Sequence, residues 1–428
     1  MNDRIDGIPE AESGSCADGW PSPDGSAVPY PLFTDENIYR LEQERIYRGP
    51  TWSFLALEAE IPKPFDFKST FIGDTPVVVT RDANGDLHGW VNKCAHRGAM
   101  VCREPHGNTE SHTCAYHQWS FAPSGQLEGV PFRRGYKGMS GMPADFDIRN
   151  FSLPKIRVDS FCGLVFGSFS EASGSLDDYL GEENRPLIRR IFHKPVEYLG
   201  VTRQYSKSNW KLYYENVKDP YHASLLHLFH TTFNIARVGM DTHLIADRRH
   251  GLHSSLIVVR SAEENTEGYR EQKIRSFNAG VKLADPTLLD THREYELDTT
   301  NHIQSIFPSL IIQQIHNTLV CRQLLPKGPS SFELNFHFFG YVDDTPELRK
   351  MRIRQMNLVG PAGYISMEDT EATELIQRVI TSDGRGTSYI GMAKDAPDDE
   401  GSLISEKLVR RMWQGYRTLM DTGDSKEA

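Results

Sequence analysis

Cysteine is scarce: the 428-residue chain carries six, at irregular spacings, which excludes the disulfide framework of small secreted domains. No apolar run is long enough to cross a bilayer, and no charged-then-apolar leader follows Met1. Positive charge is in deficit, with 47 Lys and Arg against 58 Asp and Glu, a formal charge of -11 and a pI near 5.8. The basic stripe that meets a nucleic acid is therefore missing. Internal repeats are absent too, so solenoids and propellers drop out. A hydrophobic fraction of 38% and a mean hydropathy of -0.49 describe a soluble globular protein, expected in the cytoplasm, with no membrane or nucleic-acid partner. The length exceeds what one hydrophobic core sustains, so more than one domain is expected.

The chain divides by character. Residues 1–44 are expected to form an N-terminal arm and helix. Up to about residue 30 the arm is rich in Gly, Ser, Pro and Asp, carries Cys16 and shows no apolar period, which reads as mobile. Thr34 is expected to cap the stretch "DENIYRLEQERIYR". Residues 45–160 break into short β segments; "PVVVTRDANGDLHGWVN" places Asn84-Gly85 as a turn between two extended runs, which predicts a hairpin in a small all-β domain. Residues 161–428 mix helical patterns with a second β region. "TTNHIQSIFPSLIIQQIHNTLVCRQLLPKGPSSFELNFHFFGYV" predicts an antiparallel meander with a turn at Lys327-Gly328-Pro329, flanked by helices, so the fold class is α+β.

Two constellations carry chemistry. In the small domain Cys94 and His96 form C-x-H, and after seventeen residues Cys114 and His117 form C-x2-H. Each loop delivers one thiolate and one imidazole, so facing loops can give two sulfurs to one iron and two nitrogens to another, the Rieske [2Fe-2S] arrangement. Two Cys and two His also suit tetrahedral zinc. Zinc fingers, however, usually keep the cysteines together and the histidines together, whereas each motif here mixes them.

Further on, "ENVKDPYHASLLH" sets His222 and His227 five residues apart. On one regular helix such a pair points some 140° apart, so a shared metal requires a break, or His222 at a helix end. Asp219 as N-cap and Pro220 at the first helical position would put His222 in an opening turn. Asp369 supplies the third candidate ligand: two His and one carboxylate bind Fe(II) on one face and leave the other open. A plain His pair and a helix-starting Asp369 are the alternative.

With both constellations in view, the sequence resembles over nearly its whole length the large (alpha) subunits of Rieske non-haem iron aromatic ring-hydroxylating dioxygenases, in the terephthalate, anthranilate, halobenzoate and salicylate group. The segments that carry the likeness include "CAHRGAM", "CAYHQW", "NWKLYYENVKDPYHASLLH", "IFPSLIIQQI", "RQLLPK" and "NLVGPAGYISMED". The resemblance implies that Cys94, His96, Cys114 and His117 bind the cluster, that His222, His227 and Asp369 hold the iron, and that Asp219 is the carboxylate bridging the two centres. It implies a helix-grip catalytic domain with a large antiparallel sheet, and an alpha3 or alpha3beta3 assembly with a small beta subunit. Electrons from NAD(P)H would arrive through a reductase and in some systems a ferredoxin. The reaction implied is hydroxylation of an aromatic carboxylate with O2, as cis-dihydroxylation; ring monohydroxylation and oxidative demethylation use the same iron site. A Rieske electron carrier is the other class, but it would have no use for His222, His227 and Asp369.

The substrate expectation rests on Arg322 in the strand "TLVCRQLLP", whose guanidinium could hold a carboxylate by a bidentate fork. In terephthalate-type enzymes the Arg of "RQLLPK" does so, and a second Arg near the C-terminus holds the other carboxylate. That second Arg has no match around "DAPDDEGSLISEKLV", which points to a monocarboxylate such as benzoate, anthranilate or salicylate. An internal salt bridge is the competing role for Arg322. Asn216 either shapes the pocket or caps a helix. Cys102, Cys162 and Cys321 read as inert thiols, and His230, His316 and His337 as core histidines rather than pocket residues.

Overall fold

The computed structural model describes residues 20–263, 266–397 and 401–421; Cys16 and most of the expected arm lie outside them. Turn formers alternate with β-branched and aromatic runs over the first part, and short strands result. β1 (Ala27–Pro29) and helix α1 (Glu36–Glu42) come first. There follow β2 (Ser53–Leu57), β3 (Asp66–Ile72), β4 (Thr75–Arg81), β5 (Leu87–Val91), β6 (His106–Asn108), β7 (His112–Thr113), β8 (Ser120–Phe121), β9 (Leu127–Gly129), β10 (Lys155–Phe161) and β11 (Leu164–Ser168). One sheet runs β2-β11-β10-β5-β4-β3-β6 and a smaller one β7-β8-β9. The hairpin expected at Asn84-Gly85 joins β4 to β5: Gly85 adopts φ 87° and donates its N–H to the Asp82 carbonyl. Because β11 pairs with both β10 and β2, the small sheet continues past residue 160.

The second part opens with α2 (Leu176–Ile191), β12 (Val196–Ser206), α3 (Trp210–Asn216), α4 (Pro220–Ala223) and α5 (Leu228–Thr232). It continues through β13 (Thr242–Ala246), β14 (Ser254–Val259), α6 (Glu267–Glu271), β15 (Thr299–Ile306), β16 (Leu310–Ile315), β17 (Thr318–Pro326) and β18 (Phe332–Tyr341). It closes with α7 (Pro346–Val359), α8 (Tyr364–Asp383), β19 (Thr387–Tyr389) and α9 (Lys407–Asp421). The expected meander is there, within a seven-stranded antiparallel sheet ordered β12-β18-β17-β16-β15-β14-β13. Every residue of β16 and β17 is buried, because each sheet face is covered.

Strand alternation sorts that burial into two compartments. Leu319, Cys321, Leu310 and Ile312 join a core with Trp52 and Phe54 of the small domain and Tyr179 and Leu180 of α2. Gln323, on the same face, donates to the Phe54 carbonyl at 2.8 Å. Val320, Leu324, Ile311 and Ile315 point the other way, into the core containing Tyr213 of α3 and Ile365 of α8. Arg322 shares the parity of Val320 and Leu324 and so belongs to the helix side.

Two details of the N-terminal expectation are corrected. Asp35 caps α1 in place of Thr34: its carboxylate accepts the N–H groups of Asn37 at 2.6 Å and Ile38 at 3.2 Å, while the Thr34 hydroxyl reaches back to the Tyr30 carbonyl. The arm is also tethered before residue 30, since β1 pairs with β19 from the far end of the chain and Trp20 packs edge-on against Tyr416.

Candidate functional site

The two Cys/His loops are near copies. In the β5–β6 connection Cys94 donates its N–H to the Ala99 carbonyl at 2.8 Å and accepts from Gly98 N–H at 2.9 Å. In the β7–β8 connection Cys114 donates to the Trp119 carbonyl and accepts from Gln118, both at 2.9 Å. Each bend needs one left-handed residue, Gly98 at φ 72° and Gln118 at φ 57°. Both cysteines are buried and both histidines half-buried. The His96 and His117 rings meet edge-on at 4.5 Å, and His96 stacks on Trp119 at 4.7 Å. His96 Nδ1 is a buried nitrogen without a hydrogen-bond partner, which suits a metal ligand. Among the described residues no three of these four bring ligand atoms within 4.8 Å of one another, whereas a tetrahedral zinc would draw all four together. The wider spacing suits two metal ions better than one.

The second constellation does converge: one ligand atom each from His222, His227 and Asp369 lies within 4.8 Å of the others. The helix break demanded by the spacing is present. Asp219 caps α4, accepting the Tyr221 N–H at 2.8 Å, and Pro220 is its first residue. α4 stops at Ala223, and His227 is itself the N-cap of α5, so the two rings hang from different short helices. Asp369 does not begin a helix; it sits within α8.

Asp369 Oδ1 lies 3.2 Å from His227 Nε2 and 3.4 Å from His222 Nε2, and it accepts a hydrogen bond from Asn216 Nδ2 at 3.1 Å. Burial would push the Asp369 carboxyl up, but His227 and His222 hold it well below the usual carboxylate range. On the outer side, Asp219 Oδ2 is 3.3 Å from His222 Nδ1 and Glu368 Oε2 is 2.8 Å from His227 Nδ1. Glu368 on Nδ1 keeps the proton there and turns the His227 Nε2 lone pair inward, the usual support for a metal-bound imidazole, while the Asp219 carboxylate stands beside His222 Nδ1 as a close charge. The convergence of this donor set thus fits an iron of the two-His, one-carboxylate type.

Around this triad runs a narrow cavity, with Asn216, Asp219, Ala223 and His230 on its helix side and Leu256, Ile303, Gln313 and Arg322 on its sheet side. A wider cleft of about 610 Å³ lies elsewhere, between the β13–β14 turn and α9, and holds none of these residues. Chemistry, not volume, selects the narrow one. His230, read from the sequence as a core residue, lines the cavity: its Nδ1 is 3.1 Å from the Ala223 carbonyl, and its Nε2 has no partner. His337, by contrast, lies in the other compartment, 3.3 Å from Glu60.

Two family models match the chain. One, the Rieske [2Fe-2S] domain, covers residues 51–148, and the other, the ring hydroxylating alpha subunit (catalytic domain), covers 195–422. The chain is a ring-hydroxylating oxygenase alpha subunit. It is 64% identical over 401 residues to the anthranilate 1,2-dioxygenase large subunit of Burkholderia cepacia, covering 94% of this chain and 95% of that one. It is 46% identical over 402 residues to the terephthalate 1,2-dioxygenase terminal oxygenase component subunit alpha 2 of Comamonas sp, covering 94% and 97%. Its fold matches naphthalene 1,2-dioxygenase from Rhodococcus sp. with a TM-score of 0.76 at 24% identity, over 93% of this chain and 95% of that one. As a Rieske non-haem iron oxygenase, the alpha subunit uses a [2Fe-2S] cluster and a mononuclear iron. Sequence reasoning missed Glu368 and Gln313 in it. Glu368 had one signal, its place beside Asp369; Gln313 had none, since an amide in a strand carries no motif. Among the described residues no helix is long and apolar enough to cross a membrane.

Proposed function

We propose that this alpha subunit hydroxylates an aromatic monocarboxylate with dioxygen, with Cys94, His96, Cys114 and His117 holding the cluster and His222, His227 and Asp369 holding the iron. Bound there, the cluster supplies an electron and the iron an open face for dioxygen. Asn216 steadies Asp369, Glu368 fixes the tautomer of His227, and Asp219 places its charge beside His222.

The observation that carries the substrate class is the state of Arg322. Its Nη1 donates to the Tyr213 hydroxyl at 2.6 Å, its Nε is buried without a partner, and among the described residues no carboxylate forms an ion pair with it. Arg322 lines the iron cavity, and its Nε–Nη2 edge is the fork that would take a carboxylate side-on. The competing internal salt bridge is not formed among the described residues. Beyond the cavity, the C-terminal segment contributes Leu403, which packs with Leu256, Ala236 and Met240. An apolar residue there favours a substrate with one carboxylate, and the anthranilate-type relative at 64% identity agrees.

Partners follow from the chemistry: a reductase or ferredoxin to reload the cluster, and a small beta subunit in an alpha3beta3 assembly, working in the cytoplasm. Turnover of benzoate-type acids with a matching reductase, with products identified by mass, tests the reaction and separates a cis-dihydrodiol from a phenol or a demethylated product. Arg322→Gln should raise KM for the carboxylate by roughly one to three orders of magnitude with both metals retained. An unchanged KM rejects the carboxylate anchor.

A further inference from the structure

Apart from the anchor and the ligands, one polar group on the sheet side of the iron cavity lacks an explanation. Gln313 is 2% exposed, and its Oε1 is buried without a hydrogen-bond partner. Its Nε2 donates to Asn301 Oδ1 at 3.4 Å, which leaves the carbonyl oxygen as the unspent half of the amide. A buried acceptor with nothing to accept is destabilising, so an ordinary packing position would favour an aliphatic side chain.

The strand register says what surrounds it. Leu256 pairs with Ile303, Ile303 with Gln313 and Gln313 with Val320, a row across β14, β15, β16 and β17 that is aliphatic except for Gln313. Arg322 pairs with Ile311, two residues from Gln313 on the same face. Arg322 and Gln313 are thus diagonal cross-strand neighbours, about 7–8 Å apart at the backbone, and both line the cavity. The fork of one and the carbonyl oxygen of the other address adjacent positions of whatever lies against this wall.

We propose that Gln313 is a specificity-determining residue whose Oε1 accepts an N–H from an amino group ortho to the carboxylate held by Arg322. The ligand class is a 2-aminobenzoate. The inference rests on the carboxylate anchor proposed above, and it adds the second contact, which fixes the ring's rotation about the carboxylate axis. The apolar lining around them, Leu256, Ile303 and Ile365, is a seat for the ring. An acceptor is what an aromatic amine needs, because its lone pair is delocalised into the ring and its N–H groups are the stronger hydrogen-bonding partners. A site built to accept that bond discriminates against an analogue lacking the donor, because the acceptor is then desolvated for nothing.

The experiment uses the holoenzyme with its reductase and three probes: 2-aminobenzoate, 3-aminobenzoate and benzoate. Gln313→Met keeps the length and removes the acceptor; Gln313→Glu keeps an acceptor at the same place. Iron content, the visible spectrum of the cluster and melting temperature confirm that each variant is loaded and folded. The Met variant should lose roughly ten- to hundredfold in kcat/KM for 2-aminobenzoate, and a similar factor in Kd measured by calorimetry, with benzoate and 3-aminobenzoate changed less than about threefold. The Glu variant should retain more of the preference for 2-aminobenzoate over benzoate than the Met variant does. Equal losses on all three acids in the Met variant would make Gln313 a packing residue and overturn the proposal. Arg322→Gln is run in parallel. If it weakens all three acids while Gln313→Met leaves their ratios unchanged, the anchor stands and the amine contact fails; if it weakens none, the anchor itself has failed.

Discussion

Asp219 carries two loads that different substitutions can separate. Its carboxylate caps α4 through the Tyr221 N–H at 2.8 Å, and its other oxygen stands 3.3 Å from His222 Nδ1. Losing the cap alone should cost ~0.5–2 kcal/mol, since an N-cap Asp replaced by Ala typically costs that much. Losing a carboxylate behind a metal-bound imidazole costs about 10- to 100-fold in activity or metal affinity. Asp219→Ala removes both functions. Asp219→Asn keeps the cap, because Asn is as good an N-cap as Asp, but removes the negative charge beside His222. Asp219→Asn should therefore melt within about 0.5 kcal/mol of the wild type yet turn over about 10- to 100-fold more slowly. Asp219→Ala should show the same kinetic loss plus the lower melting temperature. Both variants should keep the cluster and most of the iron, since neither changes a proposed ligand. Oxygen uptake, metal analysis and thermal melts on the two proteins suffice. Full turnover in Asp219→Asn would refute the electronic role and leave Asp219 a helix cap.

Two further outcomes are expected. Anaerobically purified protein should contain three irons and two acid-labile sulfides per chain; Cys94→Ser should abolish the visible absorption of the cluster, and His222→Ala should remove only the mononuclear iron, with stoichiometric zinc and no sulfide as the contrary result. Glu215 is buried beside this region, and burial raises its pKa to about 8, against the hydrogen bond from Trp413 Nε1 that lowers it. A carboxyl whose folded pKa is raised contributes full stability below its unfolded pKa and loses it as pH rises through about 8. Glu215→Gln, which still accepts from Trp413, should thus gain stability over the wild type at pH 9 relative to pH 6, and melts showing no such crossover would place the ionised carboxylate comfortably in the fold.

What could be read in advance was local. The two Cys/His motifs, the Asn84-Gly85 hairpin and the β15–β18 meander are patterns within a few residues or one strand repeat, and the hairpin and the meander took their expected form. The break between His222 and His227 was also readable, because Pro220 and the i, i+5 spacing are incompatible with a continuous helix. Non-local partnerships were opaque. β1 is tied down by β19 across most of the chain, and β11 closes the small sheet against β2, pairings set by neither segment alone. Residues whose importance comes from where their atoms end up, such as Gln313 and His230, have no spacing to announce them.

The alternation along β17 has a consequence for how such an enzyme diversifies. Odd-numbered positions Leu319, Cys321 and Gln323 are glued to the small domain, while even-numbered Val320, Arg322 and Leu324 look toward the iron side. Substrate range and domain cohesion are therefore written on one strand in interleaved positions that can mutate independently. If Arg322 anchors the substrate as proposed, a point substitution at an even position should change what is recognised and leave the joint intact. A single-residue insertion would exchange the two alphabets at once, placing a thiol where the guanidinium belongs. Libraries meant to widen the substrate range should vary only the even positions of β17 and leave its length alone.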